Sequence, residues 1–154
     1  MKVRIEVADG LSEDEVLIRC GQVDESIRKL YRLLLEQTKG NPQITFYKQN
    51  QEFYFPLDDV LFFETSGEHV YAHTADDAFL IRNRLYELEQ LLPITFVRAA
   101  KSTIVNIRRI YSVTKNLTSS SRIQFVGSLK EVYASRYYYR ELQRRLQERS
   151  RLEE

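Results

Sequence analysis

The side chains that could do chemistry in this chain are few, and most are cations. Two histidines, His69 and His73, stand four apart, and the single cysteine, Cys20, is distant from both. That histidine spacing holds a metal when both rings project from one helix face. Here the segment alternates like a strand, which puts the rings on one face but about 13 Å apart, too far to share an ion. Asp58-Asp59 and Asp76-Asp77 are adjacent carboxylates, which read as solvated turn residues rather than an acid–base pair; Asp58 can cap a turn. Neither a GxGxxG nor a P-loop is present among only five glycines. Cys20 sits in an apolar stretch and reads as a buried, inert thiol. No catalytic residue, metal set or cofactor is expected, so the chain does not read as an enzyme. The cations read otherwise. Arg98, Lys101, Arg108, Arg109, Arg136 and Arg140 all fall in the second half. Arginine and lysine neutralise phosphates, and either can donate to guanine O6 and N7, as a histidine can to a purine N7.

The charge is divided along the chain. Over 154 residues the formal net charge is +1. Residues 1–79 carry 8 Lys+Arg against 15 Asp+Glu, whereas residues 80–154 carry 15 against 7. A basic face attracts phosphate backbones, anionic lipid or an acidic protein; its bland alternative is a set of solvated helix faces. With 43% apolar residues, 5 Gly and 3 Pro, a globular core is affordable, and disordered or collagen-like classes are excluded. One cysteine allows no internal disulfide and points to a reducing compartment. No run approaches the roughly 18 apolar residues of a membrane span. Glu6 interrupts the stretch that a signal peptide needs to be apolar. The expected location is the cytoplasm.

The elements that must position these cations follow from periodicity. Residues 2–7 alternate Val3, Ile5, Val7 against Lys2, Arg4, Glu6, and 15–20 form a second apolar run; both predict strands. From Asp24, a plausible N-cap, Ile27, Leu30, Tyr31 and Leu34 mark one helix face, and Gly40-Asn41-Pro42 stops it. This predicts a small β-β-α unit over 1–41, able to mediate self-association, and a second domain over 42–154. In the latter, short strands are expected at 44–49, 52–55, 60–64, 69–74, 79–82, 96–97, 103–107, 110–114, 123–126 and 131–134. Helices are expected at 84–92, closed by Pro93, and at about 138–152, where Tyr138, Leu142 and Leu146 recur. Residues 116–122 read as a polar loop. Pro56 limits its strand to an edge or an end. The aromatic run Phe53, Tyr54, Phe55, Phe62, Phe63 reads as core. The class is mainly β with a few helices, and the alternation of a doubly wound sheet is missing.

Four stretches, in order, carry a family resemblance. They are Leu57-Asp58-Asp59-Val60-Leu61-Phe62-Phe63-Glu64, the Leu-rich helix Leu85–Leu92 ending in Pro93, Phe96-Val97-Arg98-Ala99-Ala100-Lys101-Ser102-Thr103-Ile104-Val105-Asn106, and Ala134-Ser135-Arg136-Tyr137. Together, over about 44–147, the chain resembles the LytTR family of bacterial DNA-binding domains, and its stand-alone members without a receiver domain. The resemblance implies a mostly antiparallel β fold that reads double-stranded DNA through loops, without a helix-turn-helix. It places His69 and Arg136–Tyr137 at major-groove positions and Lys101 at the basic position of the third stretch, where Ser102 and Asn106 also match. It further implies two protomers, a homodimer on paired repeats, and an inhibitory membrane protein as a controlling partner. Ala99, Ala100 and Tyr137 depart from the family pattern.

Each residue has a structural alternative. Arg98 can pair with Glu64 or Glu89, Asn106 can support loop geometry, and His69 can be a plain exposed histidine. Arg108 and Arg109, read as strand residues, would face opposite ways, one toward phosphate. The tail arginines can be a solvated face. The expected DNA-binding set is therefore His69, Arg98, Lys101, Ser102, Asn106, Arg108, Arg109, Arg136 and Tyr137. The competing class is a LytTR-like module that has lost base readout and binds protein. A single-strand binder would need exposed stacking aromatics.

Overall fold

Strands buried on both faces read as continuous apolar runs, and Val60-Leu61-Phe62-Phe63, all buried, is such a run. The structure, a computed structural model, describes residues 1–38, 44–116 and 118–153. It divides into two compact units, Met1–Gln37 and Thr38–Glu154.

In the first unit, α1 (Glu25–Thr38) begins as expected: the Asp24 carboxylate accepts from the Ile27 N–H at 3.0 Å. The stop at Gly40-Asn41-Pro42 lies outside the described residues. The two strands expected before α1 carry no ladder. Val3, Ile5 and Val7 are 90–94% exposed, and Cys20 is exposed rather than buried. An alternating segment gains stability only when its backbone is paired and its apolar face covered, and neither occurs among the described residues.

The second unit is built on hairpins. Strands β1 (Phe46–Lys48) and β2 (Gln51–Phe53) join through Gln49 and Asn50, both at positive φ, the backbone of a type I′ turn. A 3-10 turn at Leu57–Asp59 leads into β3 (Phe62–Ser66), β4 (His69–His73) and β5 (Ala78–Ile81). Helix α2 (Leu85–Leu91) precedes β6 (Phe96–Ala100) and β7 (Thr103–Asn106). A second 3-10 turn, Ile107–Arg109, leads into β8 (Ile110–Thr114), β9 (Ser121–Phe125) and β10 (Glu131–Ala134). Helix α3 spans Arg136–Glu153. The sheets are seven-stranded, in the order β2-β1-β5-β4-β3-β7-β6, and three-stranded, in the order β10-β9-β8. Every described pairing is antiparallel, so the mainly β fold is as expected. Among the described residues, no helix is long and apolar enough to cross a membrane.

Side-chain alternation feeds two cores from the large sheet. Phe63, Ile104 and Phe96 pack with Leu85 and Leu88 of α2 and with Leu92 just after it. Phe62, Val105, Val97 and Ala99 face Ile123, Phe125 and Val132 of the small sheet and Leu142 of α3. The α3 stripe uses Tyr139, Leu142 and Leu146, so Tyr139 replaces the expected Tyr138. Of the aromatic run, Tyr54 departs from expectation. It is 82% exposed and donates to Glu52 at 2.7 Å, having left the edge strand β2 on the solvent side.

Candidate nucleic-acid interface

Strand β3 lies between β4 and β7, and each neighbour runs antiparallel to it. The turn after β3 and the turn before β7 therefore emerge at the same end of the sheet. Ser66 pairs with His69, leaving Gly67 and Glu68 as the loop, with Gly67 at φ +63°. Two donors of Thr65, its N–H at 3.0 Å and its hydroxyl at 3.3 Å, reach the Ser102 carbonyl and tie this turn to the next. A third segment joins them. The Ser135 N–H donates to the Ala99 carbonyl at 2.8 Å. Ser135 also caps α3, its hydroxyl accepting from the Tyr138 N–H at 3.4 Å. Three turns from separate parts of the chain are thus bonded together at one end of a rigid sheet.

These turns present His69, Lys101 and Arg136, all exposed. Among the described residues, none of the three side chains makes a hydrogen bond or ion pair within the chain. Arg136 opens α3, whose first turn holds no acid. A cation there opposes the helix dipole, so it is not placed for helix stability. Tyr137 is 85% exposed and packs edge-on against Tyr138, with ring centroids 4.8 Å apart. Ser102 is exposed but contributes its carbonyl to the tie with Thr65. Glu68, exposed beside His69, is the acidic member of this surface. Arg140, counted among the basic-half cations in the sequence but left out of the expected DNA-binding set, lies one helical turn beyond Arg136, exposed and without a partner among the described residues.

The remaining expected residues are placed differently. Arg98 donates from Nε to the Ala100 carbonyl at 2.8 Å, from its fork to the Lys101 carbonyl, and to Glu89 at 2.6 Å. Of its two expected partners, Glu89 is the one used. Between Arg98 and Ala100 the register with β7 shifts, making Ala99 a bulge. Asn106 is wholly buried. Its amide donates to the Val60 carbonyl at 3.0 Å and to the Asp58 carboxylate at 3.2 Å, and its oxygen accepts from the Arg108 N–H at 3.1 Å. Arg108 and Arg109 lie in the 3-10 turn after β7, not on a strand, so the expected strand alternation does not apply. That turn is at the opposite end of the sheet from Lys101. Arg109 donates to the Asp58 carbonyl at 2.8 Å and lies 3.4 Å from its carboxylate; Arg108 lies 3.8 Å from the same group. The two adjacent aspartates Asp58 and Asp59 are turn and pairing residues here.

His73 is also at that far end. Its ring stacks on Phe62, centroids 4.4 Å apart, and its Nδ1 lies 3.2 Å from the Lys130 ammonium. Burial first, and Lys130 second, lower its pKa to about 4. The neutral ring accepts from Lys130, pinning the β9–β10 turn to the large sheet. Lys48 pairs with Asp77 at 2.6 Å nearby and lowers the pKa of that carboxyl. Among the described residues, no three His, Cys, Asp or Glu groups could hold a metal ion together.

Known proteins share the family and the fold. The LytTr DNA-binding domain family matches residues 50–147. Proteins named as HTH-type transcriptional regulators in Staphylococcus aureus are similar over nearly their whole length. In strain NCTC 8325 the relative is 25% identical, covering 95% of this chain and 98% of its own. In strain MRSA252 the figures are 26%, 85% and 97%. Despite that name, the described helices of this chain are separated by strands, with no two joined by a short turn. The solved LytTr DNA-binding domain of a Bacillus cereus protein shares the fold, with a TM-score of 0.62 at 23% identity, over 68% of this chain and 98% of its own. The chain belongs to the LytTr DNA-binding domain family.

Proposed function

We propose that this protein is a sequence-specific, double-stranded-DNA-binding transcriptional regulator that reads grooves with turns rather than a recognition helix. The observation that carries this is the gathering of His69, Lys101 and Arg136 on three turns linked in series by hydrogen bonds, exposed and without partners among the described residues. Cations left unpaired by the fold are available to phosphates and base edges, and the sheet fixes their spacing. His69 and Arg136–Tyr137 serve two successive major grooves, with Lys101 between them. Arg140 extends the basic surface along α3 toward phosphate. Ser102 and Arg98 shape the Lys101 turn, while Asn106, Arg108 and Arg109 hold the far end of the sheet. Two protomers occupy paired repeats on one face of the duplex. The chain acts in the cytoplasm without a cofactor, and the family resemblance adds a restraining membrane protein as its controlling partner.

The protein-binding alternative rested on the departures at Ala99 and Ala100 and on the weak overall charge of +1. Ala99 is fully buried in the second core, so its small side chain answers to packing and says nothing about base readout.

The test is selection of bound duplexes from a random library near physiological salt, with wild type beside Lys101→Ala and Arg136→Ala. A paired motif should be enriched by wild type and lost in both variants. No enriched motif, with only weak salt-sensitive binding, would overturn the reading. Each lost base contact should cost ~1–3 kcal/mol of discrimination.

A further inference from the structure

We propose that residues 2–8 pair antiparallel with the same residues of a second copy of this chain, about a two-fold axis at Ile5. The inference rests on the two-protomer reading above and supplies the surface that joins the protomers. The segment lies outside the matched DNA-binding region, which begins at residue 50. Its backbone makes no ladder, and Val3, Ile5 and Val7 stand almost fully exposed. An unpaired strand with an alternating apolar face is a template for another strand.

Charge and register select a copy of itself as the occupant. With the axis at Ile5, Val3 faces Val7 and Ile5 faces Ile5 on one side. On the other side Arg4 faces Glu6, twice. Within one chain Arg4 already lies 3.0 Å from Glu6, so the pair of strands closes an alternating ring of four charges. An axis at Arg4 sets Arg4 on Arg4, and one at Glu6 sets Glu6 on Glu6. Registers shifted by one residue place apolar side chains opposite charged ones. A parallel in-register pair stacks like charges. Only the Ile5 axis satisfies both faces. A two-stranded ribbon is marginal by itself, and the exposed Val16 and Leu17 and the Tyr31 and Leu33 side chains of α1 offer further apolar cover.

The experiment is light scattering of the full chain without DNA, over a concentration series. The proteins are wild type, Arg4→Glu, Glu6→Arg, the Arg4→Glu/Glu6→Arg double swap and Ile5→Lys. Wild type should dimerise, each charge reversal should weaken the dimer about tenfold, Ile5→Lys should be monomeric, and the double swap should recover. All changes are at exposed positions, so the fold is unaffected. A wild-type monomer at tens of micromolar, a dimer indifferent to the single reversals, or a double swap that fails to recover would each overturn the proposal. Lys101→Ala should dimerise normally, which separates failure here from failure of the DNA-binding reading.

Discussion

Arg98 holds the turn that presents Lys101. Its guanidinium donates to the Lys101 carbonyl while Nε bonds the Ala100 carbonyl at 2.8 Å and Glu89 anchors the fork at 2.6 Å. A planar fork can bond several acceptors at fixed angles, and a lysine cannot. We therefore expect Arg98→Ala and Arg98→Lys to lower both stability and DNA affinity, the former by about 1–3 kcal/mol. Lys101→Ala should lower affinity with the melting temperature unchanged. Thermal melts beside fluorescence anisotropy separate the two; an Arg98→Lys protein that binds like wild type would show the fork to be dispensable.

Arg136 stands at the first position of α3, against the dipole and with no acid in the first turn. Replacing it with Glu should stabilise the helix by about 0.3–1 kcal/mol while abolishing DNA binding. A drop in stability on this change would mean that Arg136 has a structural partner after all.

Asn106 is buried and spends its amide on the Val60 carbonyl and Asp58. Asn106→Ala leaves the Val60 carbonyl and the Arg108 N–H short of a partner. Chemical denaturation should show a loss of about 2–4 kcal/mol. At temperatures where the variant stays folded, its DNA affinity should match wild type, since its side chain reaches no surface.

His73 makes stability depend on pH. The folded ring titrates near 4 instead of its ordinary 6.5, so below 6.5 the unfolded chain takes up the proton and the folded one does not. The sign is destabilising on acidification: the contribution is complete above 6.5 and is lost progressively as pH falls toward 4. The full shift corresponds to roughly 3 kcal/mol, which solvent at a half-buried ring reduces to about 1–2 kcal/mol. Urea unfolding between these pH values should show this slope, and His73→Gln, which keeps an acceptor for Lys130, should flatten it.

Much of the fold was legible in the chain because local signals agreed. Alternation predicted most strands to within two residues, Asp24 capped its helix, and Pro56 sat just beyond an edge strand. The early strands were the failure. Residues 2–7 have the right pattern, but a pattern creates a strand only when a partner supplies the other half of the ladder. The same gap explains Cys20, whose apolar neighbours bury nothing. The 3-10 turn at Ile107–Arg109 was misread because apolar and cationic residues in a row imitate strand alternation.

By itself the sequence determined the mainly β class, the family and the pool of cations in the second half, since these follow from residue type and order. Which cations stay unpaired among the described residues was decided by tertiary structure. Arg98 and Arg109 are consumed by carboxylates and carbonyls brought to them from 9 and 51 residues away. Lys101 and Arg136 carry the same charge but end on turns where no acid among the described residues pairs with them. Pairing is a property of three-dimensional neighbours, and linear spacing does not encode it.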